Sequence, residues 1–255
     1  MRWTERQQAM LQAMGIRLFE PATPQRDCSP LAEPSPSSPP PPPSTAARPA
    51  STPDAPHRPD VATLDWAALR EAVASCRACK LCESRQQTVF GVGHPRAQWM
   101  IVGEAPGEQE DRQGEPFVGP AGQLLDNMLR AIGLTRGEAG PARQVFIANT
   151  LKCRPPKNRN PEPAETAQCA PFLERQIALV RPRIILAMGR FAAQALLASD
   201  EPLGRLRGRV HQYRGVPVVV TYHPAYLLRT PTDKARTWED LCLAASVVAA
   251  AAEAT

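Results

Sequence analysis

Apolar residues along this chain gather into short blocks: residues 1–20 read as a short amphipathic helix with an apolar tail, and from Leu64 the pattern becomes globular. The run LDWAALREAVAS, residues 64–75, places its apolar positions every three to four residues, the period of an amphipathic helix. Four later blocks differ: WMIV (99–102), QVFIAN (144–149), RIILAM (183–188) and PVVVTY (217–222) are short, nearly continuous apolar runs bounded by turn-forming residues. Runs of that kind suit strands buried on both faces. Helical periodicity fills the intervals, at about 121–132, 162–180 and 190–199, with a last helix at about 233–252. Strands alternating with helices predict an α/β protein, a three-layer α/β/α sandwich around a central four-stranded parallel sheet. A hairpin is expected near residues 204–215.

The residues just past the strands carry the chemistry. WMIV runs into Gly103 and Glu104, the second block ends at Asn149, and the fourth at Tyr222, His223 and Pro224. A parallel sheet lines its carboxyl ends along one rim, so a carboxylate, an amide and an imidazole distant in sequence are expected to converge there. The stretch GEAPGEQEDRQGEPFVGPAG (103–122) holds five glycines, five carboxylates and one phenylalanine, Phe117, ahead of the helical run QLLDNMLRAIG. That composition fits a loop in which main chain comes close to a ligand.

Composition changes the picture upstream. Fourteen of the 29 prolines fall within residues 21–60, a segment with almost no large apolar side chains. Such a segment cannot bury enough surface to offset its ordering entropy, so it is expected to be a disordered linker between residues 1–20 and a domain at 61–255. A formal net charge of +5 favours a polyanionic partner. No apolar run approaches the roughly 18 residues of a membrane helix, and MRWTERQQAMLQAMG has no signal-peptide core, which together predict a cytoplasmic protein without membrane partners.

Seven cysteines, odd in number and clustered, argue against a disulfide framework. Cys76, Cys79 and Cys82 lie in SCRACKLCESR, and Cys153 and Cys169 bracket a helical segment. Zinc, an iron–sulfur cluster and free thiols are all compatible with the spacing, although a zinc ribbon usually has a second tight knuckle, whereas separate segments supply cubane clusters well. Cys28 and Cys242 read as non-ligands.

Four segments in this order, CRAC…TVFGVGHP, GEAPGEQEDRQGEPFVGPAGQLLD, NTLKCRPPKNRNPEPAE…C and TYHPAYLLR, resemble the family 4 uracil-DNA glycosylases, over about Cys76 to Ala250. The resemblance implies hydrolysis of the N-glycosidic bond of uracil in DNA, leaving an abasic site, by a monomer carrying a 4Fe-4S cluster on Cys76, Cys79, Cys153 and Cys169, with Cys82 outside it. It also implies Glu104 as the catalytic carboxylate, His223 facing a carbonyl oxygen of the base, Asn158 as a further catalytic position, Phe117 under the base, and Asn149 reading its edge. Gly103 and Ala105 flank Glu104 against the base, and Glu110 is the candidate for excluding the thymine methyl. Arg154, Lys157, Arg159 and Arg229 are expected on phosphates, Pro224 against DNA, and Tyr226, Leu227 and Leu228 in the loop as the groups that fill the vacated stack. Competing readings are a glycosylase for hypoxanthine or xanthine, and a non-catalytic uracil- or DNA-binding module. Residues 1–20 lie outside the resemblance; IRLF within them resembles the short motifs with which repair proteins bind the bacterial sliding clamp, making them a candidate docking helix.

Overall fold

A computed structural model describes residues 60–253, so the expected docking helix and nearly all of the expected linker lie outside the described residues. The domain opens with a 3-10 turn at Val61–Thr63 and helix α1 (Trp66–Ala74), whose amino end is capped by the Asp65 carboxylate accepting from Ala68 N at 2.8 Å. A short helix, α2 (Leu81–Ser84), comes after the first cysteines. Then come β1 (Val92–Gly93), β2 (Trp99–Gly103), α3 (Glu108–Gln113), α4 (Pro120–Ala131), β3 (Phe146–Asn149) and α5 (Pro163–Val180). The chain closes through β4 (Ile184–Met188), α6 (Arg190–Leu197), α7 (Leu203–Leu206), β5 (Val210–Tyr213), β6 (Val216–Thr221), α8 (Pro224–Arg229) and α9 (Lys234–Glu253).

The apolar blocks are continuous because both faces of the sheet are covered. Within each strand alternate residues enter opposite layers: Met100, Val102, Ala148, Ile185, Ala187, Val218 and Val220 pack with Val73 of α1, Phe172 and Ile177 of α5 and Ala192 of α6. Their neighbours Trp99, Ile101, Ile147, Ile184, Leu186 and Val219 pack on the other side with Leu125 and Leu129 of α4 and Leu241 of α9. One block thus feeds two cores, the signature of an α/β/α sandwich.

The sheet has six strands in the order β1-β3-β2-β4-β6-β5, whereas the hydrophobic pattern predicted four. The central β3-β2-β4-β6 are mutually parallel, and the two additional strands pair antiparallel at the edges. Both escaped the pattern for physical reasons: β1 is two residues long, and β5 alternates exposed and half-buried positions as an edge strand does. The expected hairpin exists, but its turn is Arg214–Gly215, both at positive φ (49° and 83°), so that β5 returns as β6 rather than within 204–215.

Candidate active site

The central strands end side by side, and the chain leaving them lines an open cavity of roughly 220 Å³. Its wall includes Glu104, Ala105 and Glu110 after β2, Phe117 before α4, Asn149 at the end of β3 and His223 at the cap of α8. Strand register brings them together: Gly103 pairs with Asn149 across β2 and β3, and Met188 pairs with Thr221, two residues before His223. The expected convergence of carboxylate, amide, imidazole and ring is what the register produces.

Gly103 stands behind this wall. A β-carbon there would lie 2.6 Å from Phe117 Cζ and closer still to the Asn149 amide oxygen, so only glycine lets ring and amide meet. Phe117 carries φ 56°, a left-handed backbone that costs about 1–3 kcal/mol when surrounding contacts impose it. Gly122 packs so tightly on the Phe117 carbonyl that a β-carbon would overlap it, and Arg136 donates to Pro116 O at 3.1 Å. The ring consequently turns inward and stacks on His223, with centroids 5.4 Å apart and planes 27° off parallel.

Asn149 is buried, and its Oδ1 has no hydrogen-bond partner among the described residues. A buried acceptor left unmet costs about 1–3 kcal/mol, which marks a place for an external donor. His223 Nδ1 accepts from Ala225 N at 3.2 Å, so the neutral ring carries its proton on Nε2. Burial, helped by the charge of Arg229 and opposed by that of Glu110, pushes the imidazole down to about 4, which leaves it uncharged at neutral pH. Burial also pushes the Glu104 carboxyl above its ordinary value, with the Arg190 charge working against it.

Glu110 has a second occupation. Its carboxylate accepts from Gly107 N at 3.1 Å, Val118 N at 3.0 Å and Gly119 N at 3.4 Å, and so joins the amino ends of α3 and α4 while lining the cavity. Asn158, at φ 53°, also lines the cavity and accepts from Arg154 Nε at 2.7 Å. Two of the expected phosphate ligands are already paired: Arg154 lies 3.3 Å from Glu108, and Arg159 makes two bonds, of 2.9 and 2.5 Å, to the buried Glu165. Lys157 and Arg229 are exposed.

The loop carrying the expected wedge sends its residues in different directions. Leu227 is 1% exposed and packs in the α4 and α9 core, whereas Leu228 is 46% exposed. The helical turn of α8 points consecutive residues in different directions, and the outward one is Leu228. Pro224 is buried at the first position of α8, and Tyr226 donates to Asp233 Oδ2 at 2.6 Å while stacking on Tyr222. Sequence reading also missed Lys152, which is 1% exposed although flanked by nothing that signals an inward lysine.

A second, small cavity of roughly 20 Å³ is walled by Cys76, Cys79, Cys82, Cys153 and Cys169, with Arg85 and Lys152 beside them. Arg85 Nη1 donates to Cys153 Sγ at 2.9 Å, and Lys152 N donates to Cys169 Sγ at 3.3 Å. Burial pushes the Cys79 and Cys153 thiols up, and that of Cys169 to about 12. Among the described residues no three His, Cys, Asp or Glu side chains stand as ligands of a single metal ion. Thiols from separate segments around one cavity, two of them served by these N–H donors, could hold a body larger than one ion.

No helix among the described residues is long and apolar enough to cross a membrane. An open sheet with its polar cavity outside the carboxyl ends of parallel strands defines a ligand-binding α/β domain. The family model of the uracil DNA glycosylase superfamily matches residues 90–243. A type-4 uracil-DNA glycosylase of Sulfurisphaera tokodaii is 44% identical over 172 residues, covering 64% of this chain and 76% of the relative. Pyrobaculum aerophilum has a type-4 enzyme 42% identical over 188 residues (71% of this chain, 93% of the relative) and a type-5 enzyme 35% identical over 146 residues (53% and 64%). The chain belongs to the uracil DNA glycosylase superfamily, in its type-4 branch.

Proposed function

We propose that this chain is a DNA repair glycosylase that receives uracil rotated out of DNA and hydrolyses its N-glycosidic bond, leaving an abasic site. The observation that carries this reading is the buried, unpartnered Oδ1 of Asn149 beside an inward-facing phenyl ring. Extrusion of a base costs a few kcal/mol, and Phe117 offers a stacking face for it, worth about 1–3 kcal/mol. In one plane, Asn149 Oδ1 accepts from uracil N3–H and its amide N–H donates to O4; cytosine presents an amino group where that N–H needs an acceptor. The thymine methyl meets Glu110, whose three backbone bonds keep its carboxylate from swinging aside.

Cleavage develops positive charge on the sugar and negative charge on the leaving base. Nε2–H of the neutral His223 donates to the oxygen where that negative charge grows, a stabilisation available only as the bond breaks. Glu104 opposes the charge on the sugar and orients the attacking water, with Asn158 completing the far wall. Lys157 and Arg229 are the exposed cations offered for phosphate contact, and Leu228, exposed on α8, is the apolar group that would fill the vacated stack.

The thiols of Cys76, Cys79, Cys153 and Cys169 would hold a 4Fe-4S cluster: they come from separate segments around one cavity, and no three of them are set around one centre as zinc, at about 2.0–2.3 Å from each ligand, requires. When bound, the cluster supplies iron–thiolate cross-links between the segment before α2 and the loop leading into α5. Excision moves no electron, so these links serve the architecture. Strand scission by alkali, after incubation with an oligonucleotide containing one uracil, tests the function. Scission lost in Glu104→Gln and strongly slowed in His223→Asn supports it; scission with hypoxanthine alone, or binding without scission, overturns it.

A further inference from the structure

One fully buried cation lies between the cysteine cavity and the base cavity. Lys152 uses two different donors on the two sides: its main-chain N–H reaches Cys169 Sγ at 3.3 Å, and its ammonium reaches the main-chain carbonyl of Asn149 at 2.8 Å. The ammonium also donates to Gln176 Oε1 at 2.6 Å, and the Gln176 amide in turn donates to Phe90 O at 2.8 Å, where α5 crosses the chain entering β1. Both ammonium acceptors are uncharged. Burying an ammonium costs several kcal/mol, whereas a methionine of nearly the same length would fill the space without that cost. Nothing in the base chemistry touches Lys152. What its ammonium holds is the backbone of the residue whose side chain meets the base.

We propose that Lys152 is a positioning residue for uracil recognition, tying the amide of Asn149 to the cysteine site so that the two cavities act as one unit. The tie rests on the reading of the base cavity as a uracil site. Fixing the Asn149 carbonyl fixes the backbone from which its amide projects, and a tilt there moves both of its hydrogen bonds to the base together. Loss of order at Cys153 or Cys169 reaches the base through one residue.

The test reads binding rather than turnover. In a Glu104→Gln background, which leaves the substrate intact, fluorescence anisotropy measures affinity for a single-stranded oligonucleotide containing one uracil and for its thymine counterpart. Lys152→Met is expected to lower the uracil-to-thymine affinity ratio about tenfold, the loss of a charge-assisted hydrogen bond, with affinity for the thymine strand and iron content unchanged. Gln176→Met, which perturbs the same buried network without touching Asn149, is expected to lower the melting temperature comparably and leave the ratio within about threefold. A soluble Lys152→Met with the ratio of the parent, or a ratio that falls only in step with lost iron, overturns the proposal. If Lys152→Met is insoluble, Lys152→Gln carries the test, because its donor ends one bond short of Asn149; an unchanged ratio there overturns it equally. A parent protein with no preference for uracil would instead sink the glycosylase reading itself.

Discussion

Gly103 shapes the base cavity by lacking a side chain. In Gly103→Ala the new methyl meets the Phe117 ring and the Asn149 amide, so one must move. We expect kcat/KM on uracil DNA to fall about 100-fold, near 3 kcal/mol of transition-state stabilisation, with a loss of about 1–3 kcal/mol in unfolding free energy by denaturant titration. Titration at His223 makes a separate prediction. Its pKa lies near 4 when folded and near 6.5 when unfolded, so acid protonates the unfolded chain first. The folded state keeps its full advantage above pH 6.5 and loses it as pH falls toward 4, by about 3 kcal/mol at 1.36 kcal/mol per unit. Glu104 has the opposite sign: its raised carboxyl favours the folded state in acid, and that contribution is lost as pH rises. Unfolding curves from pH 7 to pH 4 should therefore flatten in His223→Asn. The acid limb of kcat/KM tracks Glu104 and should survive in His223→Asn at reduced height.

At the scale of elements, α8 and the cysteine loops each divide residues that look equivalent in sequence. Leu227 and Leu228 are adjacent and identical, yet one is core and the other faces solvent. Leu227→Ala should cost about 2–5 kcal/mol of stability, as truncation of a buried leucine does. Leu228→Ala should leave the melting temperature within about 1 °C and lower excision from duplex more than from single strands, because only the duplex has a stack to refill. Among the thiols, Cys169→Ser should reduce iron content and absorbance near 400 nm and lower the melting temperature by several degrees, as loss of a cross-link does. Cys82→Ser should change none of these, and an equal loss of iron there would reassign the ligands. Element boundaries were legible in advance because burial on both faces writes itself as unbroken apolar runs; β1 and β5 were not, since an edge strand need bury only part of one face.

For the whole molecule, the described strands and helices that build the two cavities lie within residues 60–253. A chain shortened to begin at Asp60 should therefore fold and excise uracil within about twofold of the full-length protein, measured by scission and thermal melting; a large loss would place residues 1–59 in the site rather than outside it. The sequence alone determined that four apolar strands alternate with helices, and that an acid, an amide and an imidazole come after three of those strands, because covering both faces of a parallel sheet imposes a pattern readable along one dimension. Tertiary structure decided which of those groups touch. Pairing of Gly103 with Asn149 set the floor of the cavity, the left-handed turn at Phe117 aimed its ring, and pairing with Glu108 and Glu165 occupied Arg154 and Arg159. Lys152 turned inward for the same reason. Its partners are a sulfur 17 residues ahead and a glutamine 24 residues ahead, contacts that exist only after α5 packs on the sheet and that no local pattern can encode.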